Sequence, residues 1–77
     1  MGPFERVAQE SLISRREALH RLGAPLSDDQ RKELSEIEAA LTRLARGSYG
    51  HCEGCGRAIG RQRLRAVPET RLCTSCE

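Results

Sequence analysis

The chain has 77 residues, a formal net charge of +2 and a hydrophobic fraction of 38%, with one Phe, one Tyr and no Trp. A domain of this size buries only about 60% of the surface that its unfolded chain exposes, so we expect a disulfide, a metal or a partner to stabilise it. The chain has little material to wall a deep pocket, which argues against an enzyme. No apolar run approaches the roughly 20 residues that cross a bilayer. No secretory signal follows Met1, so we expect a soluble, cytoplasmic protein without a membrane partner.

Residues 3–22 have the pattern of an amphipathic helix, and Pro3 suits its first turn. Its apolar stripe consists of Ala8, Leu12, Leu19 and Leu22, widened by Phe4, Val7, Ile13 and Ala18. Gly23-Ala24-Pro25 should end the helix, because Gly is favoured just past a helix C-terminus and Pro cannot continue the helix.

A second helix is predicted to begin after Ser27, which forms a capping-box pattern with Gln30, and to end at Arg46 before Gly47. Its apolar residues follow a 3-4-3 spacing and are Leu34, Ile37, Leu41 and Leu44. Two helices of roughly 20 residues joined by a tight turn should pack antiparallel as a coiled-coil hairpin. A dimer seam or a partner groove is the alternative use of this stripe, although we expect a monomer.

All four cysteines lie after Gly47, as the pairs Cys52-x2-Cys55 and Cys73-x2-Cys76 separated by 17 residues. This spacing predicts one structural zinc ion, since each pair can point two sulfurs at one ion and two pairs complete a tetrahedron. Disulfides and a redox pair are the alternatives. Disulfides are disfavoured because we expect a reducing compartment. A redox pair is disfavoured because two pairs occur at zinc spacing. Four thiolates leave no open position for catalysis. One divalent ion held by four thiolates would also cancel the excess positive charge.

Two glycines flank the second predicted ligand, Gly54 and Gly56. We expect both to adopt left-handed turns that aim backbone N–H groups at sulfur. His51, next to Cys52, is a further ligand candidate, but a solvated side chain is the simpler interpretation.

The segment around the cysteines has a distinctive order, running Tyr49-Gly50-His51-Cys52-Glu53-Gly54-Cys55-Gly56, then Ile59, then Arg63-Leu64-Arg65-Ala66-Val67-Pro68, then Leu72-Cys73-Thr74-Ser75-Cys76. This pattern closely resembles the zinc finger of the DksA/TraR family of bacterial transcription regulators. The resemblance implies a protein that binds RNA polymerase rather than DNA. Family members insert a hairpin tip or an N-terminal helix into the secondary channel of the polymerase, where acidic residues act near the active site. Some members work together with the alarmone ppGpp.

The predicted hairpin tip departs from the family pattern, because long members carry an Asp-x-x-Asp-x-Ala motif that is absent here. Asp28 and Asp29 are the acidic residues at this tip, and they also suit the first turn of a helix. Short members carry acidic residues at the extreme N-terminus, where this chain offers no matching motif.

The stretch between the two cysteine pairs is basic and contains no acidic residue from Gly54 to Pro68. Arg61, Arg63 and Arg65 are therefore candidates for contacts with an acidic protein rim, or for phosphate contacts in a nucleic-acid binder.

We therefore predict a small α-helical protein with a zinc finger, made of an antiparallel helical hairpin in residues 1–46 and a four-cysteine zinc finger in residues 47–77. The predicted function is non-enzymatic regulation of transcription initiation through RNA polymerase. One alternative is an adaptor stabilised by zinc that binds a protein partner without acting at the polymerase active site. The other is a zinc-ribbon nucleic-acid binder.

Overall fold

The computed structural model describes residues 2–23 and 25–76. The described residues form three helices: α1 (Pro3–Arg21), α2 (Asp28–Arg46) and α3 (Arg61–Ala66). Helices α1 and α2 have 19 residues each, which makes each about 28 Å long. No helix in the described ranges is long and apolar enough to cross a membrane. Three residues of the predicted hairpin and finger lie outside the described part, namely Met1, Ala24 and Glu77.

The two long helices pack side by side as the predicted antiparallel hairpin. Helix α2 returns along α1, so that Nε of Arg15 donates to Oε2 of Glu33 at 2.6 Å across the pair. The hydrogen bond to the Arg15 guanidinium also holds the pKa of the Glu33 carboxyl below its ordinary value. The Arg15 side chain is 57% exposed and the Glu33 side chain 28% exposed, so water screens the pair and it contributes little to stability.

The predicted helix ends are confirmed at α2. Oγ of Ser27 accepts a hydrogen bond from the Gln30 N–H at 3.2 Å, and Oε1 of Gln30 accepts one from the Ser27 N–H at 2.9 Å. At the other end Gly47 adopts a left-handed conformation with φ of 77°, and the Ser48 N–H donates to the Arg43 carbonyl at 2.9 Å. These bonds satisfy backbone groups that a helix end would otherwise leave unpaired.

The hairpin core is the cluster of buried side chains between α1 and α2, which consists of Leu12, Leu19, Ile37, Ala40 and Leu44. Two apolar residues assigned to the stripe of the first helix are instead exposed, Leu22 at 61% and Val7 at 65%. Leu22 is exposed because α1 ends at Arg21 and the chain turns away. Val7 is exposed because it lies beside a groove between α1 and α3.

A second cluster, the finger core, is built by buried Cys52, Ile59 and Leu64. Leu64 comes from the short helix α3, which sequence analysis did not predict. Phe4 of α1 packs against this cluster, and Tyr49 packs against both cores. Because side chains are shared in this way, the division into residues 1–46 and 47–77 stays a prediction.

Polar contacts also attach the finger to the hairpin. Nη2 of Arg43 on α2 lies 3.3 Å from the Glu69 carbonyl oxygen and 3.4 Å from that of Thr70. The Tyr49 hydroxyl donates to the Pro68 carbonyl at 2.9 Å. These side chains hold the chain between α3 and the second cysteine pair against α2.

Arg71 extends this attachment with ion pairs in two directions. Its guanidinium lies 2.9 Å from a carboxylate oxygen of Glu36 on α2 and 3.5 Å from one of Glu53 in the first cysteine pair. This one side chain, near the second cysteine pair, therefore links α2 to the first cysteine pair.

Ile37 tests the hairpin core, because its side chain has no exposed surface. Ile37→Ala should lower the free energy of unfolding by about 2–5 kcal/mol, since it removes buried methylenes and leaves a cavity. Urea denaturation of the zinc-loaded protein measures this change. Val7→Ala, at a position with 65% exposure, is the control and should change stability by about 0.5 kcal/mol or less. Equal losses in the two variants would contradict the assignment of the core.

Tyr49 tests the contact between the two cores, and it is the one tyrosine in the chain. Burial raises the pKa of its phenol above the ordinary value of 10.0. The folded protein should therefore show phenolate absorbance only at higher pH than the protein in denaturant. The folded state holds the proton more tightly, so the stability from this group is complete below the unfolded pKa and is lost as pH rises through the folded pKa.

Tyr49→Phe should remove this alkaline loss of stability and also lower stability at neutral pH by about 1 kcal/mol, because the bond to Pro68 disappears. A folded protein whose phenol titrates at its ordinary pKa would show that Tyr49 is not buried between the cores.

Candidate metal centre

The four cysteine sulfurs converge on one point. The Sγ atoms of Cys52, Cys55, Cys73 and Cys76 all lie within 4.8 Å of one another, and they are the metal-ligating cluster among the described residues. The Sγ atoms of Cys55 and Cys73 are 3.8 Å apart. Zinc–sulfur bonds of about 2.3 Å in a tetrahedron place sulfurs about 3.8 Å apart, so the spacing suits one such ion.

The first cysteine pair sits on a tight backbone turn. The Cys52 N–H donates to the Arg57 carbonyl and the Gly56 N–H to the Cys52 carbonyl, both at 2.8 Å. Gly56 has a φ of 77°, as predicted. An antiparallel bridge between His51 and Ala58 closes the turn, and the exposed His51 is not part of the sulfur cluster.

Gly54 was expected to adopt a left-handed conformation, and this prediction is wrong because its φ is not positive. The structure shows another reason for glycine at this position. A Cβ atom here would lie 3.1 Å from Sγ and 3.2 Å from Cβ of Cys76, which is too close without a shift of the second pair. The absence of a side chain lets the two pairs approach each other.

The second pair is tied to the first by backbone groups. The Glu53 N–H donates to the Arg71 carbonyl at 2.8 Å, and the Cys73 N–H donates to Sγ of Cys52 at 3.4 Å. The Cys76 N–H donates to the Cys73 carbonyl at 3.1 Å, which closes the second turn. The backbone thus sets the positions of both pairs.

The sulfurs differ in how readily they ionise. The N–H groups of Cys73 and Gly54 donate to Sγ of the buried Cys52 and help to lower the pKa of that thiol to about 6. Hydrogen bonding with the sulfurs of Cys52, Cys73 and Cys55 raises the pKa of the Cys76 thiol to about 12. Four adjacent sulfurs cannot all be thiolates without a cation to offset their repulsion, and zinc supplies that positive charge.

The donor set, its spacing and its hydrogen bonds therefore fit one structural zinc ion. Four sulfur donors fill a tetrahedral zinc site, and bound zinc would stabilise the fold rather than act as a catalyst.

The acidic residues predicted to contact a partner lie at the hairpin tip. Asp28 is the first residue of α2, its side chain is 92% exposed, and it forms an ion pair with Arg31. Asp29 follows it and is also exposed. The finger reaches α2 at Glu36, which pairs with Arg71, so both aspartates lie about two helical turns, roughly 11 Å, beyond that contact.

The three candidate arginines lie on α3, which packs beside the first turns of α1. The Arg61 guanidinium lies 5.2 Å from the centre of the Phe4 ring, while Arg65 is exposed. Arg63 is half-buried, and its Nε donates to the Leu72 carbonyl at 3.1 Å, so it has a local role in the finger. The structure brings Arg61 and Arg65 to one groove and does not bring the arginines near Asp28 and Asp29.

Sequence reasoning missed the residues that join the finger to the hairpin. Arg43 and Arg71 contact groups 26 to 35 positions away along the chain, and no local pattern indicates such partners. For Tyr49 the sequence offers a weak indication of a role at the junction, because this aromatic residue lies between the predicted second helix and the first cysteine pair.

Comparison with known proteins supports a specific class of zinc protein. Residues 47–77 match the family described as prokaryotic dksA/traR C4-type zinc finger. The RNA polymerase-binding transcription factor DksA of Haemophilus influenzae is 42% identical over 75 residues, which cover 97% of this chain and 47% of that protein. The chain thus spans about half the length, or less, of the curated relatives it matches.

Solved structures share the fold. The RNA polymerase binding protein and transcriptional regulator Dks of Chlamydia trachomatis superposes with a TM-score of 0.88 at 24% identity, covering 99% of this chain and 85% of that one. The DnaK suppressor protein of Agrobacterium tumefaciens superposes with a TM-score of 0.79 at 27% identity, covering 92% and 88%.

The protein is thus a C4 zinc-finger protein whose finger is packed on a helical hairpin. More particularly, the chain belongs to the DksA/TraR family, as the resemblance predicted.

Removal of the metal tests the role of the centre. The purified protein should contain one zinc ion per chain, and a chelator should lower its melting temperature and disorder the finger core, because metal binding contributes to folding. Cys55→Ser should bind zinc more weakly in a competition titration with a coloured chelator. Ser75→Ala, an exposed position between the second pair of cysteines, is the matched control. An unchanged melting curve after complete zinc removal would refute a structural metal.

Proposed function

We propose that this protein is a DksA-like regulator that binds bacterial RNA polymerase in its secondary channel and modulates transcription initiation. The observation that carries this proposal is the match over 97% of the chain to a protein named as an RNA polymerase-binding transcription factor. That match includes the hairpin as well as the finger. The proposal includes action in the cytoplasm, as a monomer and without direct contact to DNA.

The shape of the molecule supports insertion of one end into a channel. The principal extents are 37 × 26 × 21 Å, and the hairpin tip lies about two helical turns beyond Glu36, where Arg71 of the finger contacts α2. Asp28 and Asp29 would enter first, with carboxylates open to solvent. Near a polymerase active site, such carboxylates could act on bound metal ions or on nearby basic groups.

The arginines of α3 would remain outside the channel. We assign Arg61 and Arg65 to contacts with an acidic rim, while the bond from Arg63 to the Leu72 carbonyl supports a mainly structural role for Arg63. Such rim charges contribute chiefly to the association rate and to specificity. The alarmone ppGpp would act at the same interface, and its effect is measured by adding it to the assay below.

A second candidate is an adaptor that binds polymerase, or another protein, without altering initiation. Two observations favour it: the Asp-x-x-Asp-x-Ala motif is absent from the tip, and Asp28 is paired with Arg31 in the same helical turn. A nucleic-acid binder is the third candidate. A salt-dependent gel shift that disappears when Arg61, Arg63 and Arg65 are changed to Ala would support it.

Binding is tested first, by native mass spectrometry of the zinc-loaded chain with bacterial RNA polymerase core. We expect a complex at micromolar protein. No complex at that concentration would contradict a polymerase partner for both the regulator and the adaptor.

Open-complex lifetime in a purified transcription assay then separates the regulator from the adaptor. For the regulator, Asp28→Asn with Asp29→Asn should reduce the effect on lifetime roughly fivefold or more while the complex still forms, because loss of carboxylates at the tip removes their charge. Glu10→Gln with Glu38→Gln, at exposed positions away from the tip, is the control with the same charge change. A wild-type protein that binds without changing lifetime would favour the adaptor.

A further inference from the structure

A groove with an apolar floor runs between the first two turns of α1 and helix α3. Its volume is about 400 Å³, and its floor and walls include Phe4, Ala8, Leu64 and Pro68. Val7 stands on its edge with 65% of its surface exposed, the largest exposed fraction among the large apolar side chains described. The finger core lies directly beneath, because Phe4 and Leu64 belong to that cluster.

The charge around the groove has one sign. Arg61 and Arg65 form one wall, and no carboxylate is among the residues that line it. Within residues 2–23 and 25–76, neither arginine lies within 4.0 Å of a carboxylate oxygen. The Arg61 guanidinium rests over the Phe4 ring, so the cation and the apolar floor form one continuous surface.

We propose that this groove binds an acidic segment of a partner protein, with one apolar side chain seated over Phe4 and Leu64 and with carboxylates facing Arg61 and Arg65. The residues of α1 that line it, from Phe4 to Ser11, span about 10 Å, which matches roughly two turns of a docked amphipathic helix. The proposal holds whether or not the partner is RNA polymerase, and docking here leaves the hairpin tip free.

A protein segment fits better than a nucleic acid for a physical reason. Single-stranded nucleic acids bind through successive aromatic platforms along a basic path, whereas Phe4 is the one aromatic side chain lining the groove and the Arg61 guanidinium covers its ring. The remaining floor is aliphatic, which suits a Leu, Ile or Met side chain. Among the described residues no carboxylate pairs with Arg61 or Arg65, and such guanidinium groups beside an apolar floor favour a carboxylate neighbour.

The experiment uses the zinc-loaded full chain labelled with ¹⁵N and three synthetic helical peptides. The probe peptide carries Leu at two positions four apart, flanked by Glu; one control replaces each Glu by Lys, and the other replaces each Leu by Ala. We expect saturable amide shifts for the probe peptide alone, centred on α1 residues 4–11 and on α3.

Two variants locate the site. Val7→Glu should place a carboxylate at the edge of the groove that repels an acidic segment, and Arg65→Glu should reverse the charge of the wall. Each should weaken binding of the probe peptide by roughly tenfold or more. Arg57→Glu, an exposed position outside the groove, makes the same charge change as Arg65→Glu and should leave binding within about twofold. The melting temperature of each variant shows that the chain is folded.

Four results would overturn the proposal. They are no saturable shift up to about 1 mM probe peptide, shifts centred outside the groove, equal binding of the Lys peptide, and displacement of the probe by a single-stranded oligonucleotide at lower concentration. Self-association of the chain that Val7→Glu abolishes would assign the groove to a second copy and would also overturn it. Failure of polymerase binding alone leaves the peptide result intact, so the two proposals are tested separately.

Discussion

The convergence of four sulfurs on one zinc ion is the constraint on which the finger depends. Three buried residues form the finger core, and one of them, Cys52, belongs to the sulfur cluster. So small an apolar cluster cannot by itself offset the loss of conformational entropy in about 30 ordered residues. Coordination supplies the missing stabilisation, and the backbone bonds between the two cysteine pairs set the geometry that coordination requires.

The attachment of the finger to the hairpin combines apolar and polar contacts. Phe4 enters the finger core from α1, and Tyr49 touches both cores while bonding to the Pro68 carbonyl. Arg43 reaches from α2 to carbonyls of the chain after α3. These contacts hold the finger beside the first turns of α1 and the middle of α2, and they leave Asp28 and Asp29 exposed beyond it.

Much of this architecture follows from local signals. The capping box at Ser27 and the left-handed Gly47 set the ends of α2, and the cysteine spacing indicated the metal centre, because each depends on residues close in sequence. Helix α3 was missed because its six residues carry one buried side chain, Leu64, and no clear period. The exposure of Val7 and the reason for glycine at position 54 depend on the approach of distant segments, of α3 to α1 and of Cys76 to the first pair. No pattern along the chain encodes such distances.

The ion pairs of Arg71 make one part of the contact between finger and hairpin sensitive to salt. Its guanidinium pairs with Glu36 and with Glu53 while remaining partly open to solvent, and dissolved ions screen such pairs strongly. The hydrophobic interior of each half and the metal–sulfur bonds respond far less to added salt. Concentrated salt should therefore loosen the Arg71 part of the attachment selectively, while the apolar contacts of Phe4 and Tyr49 keep the finger on the hairpin.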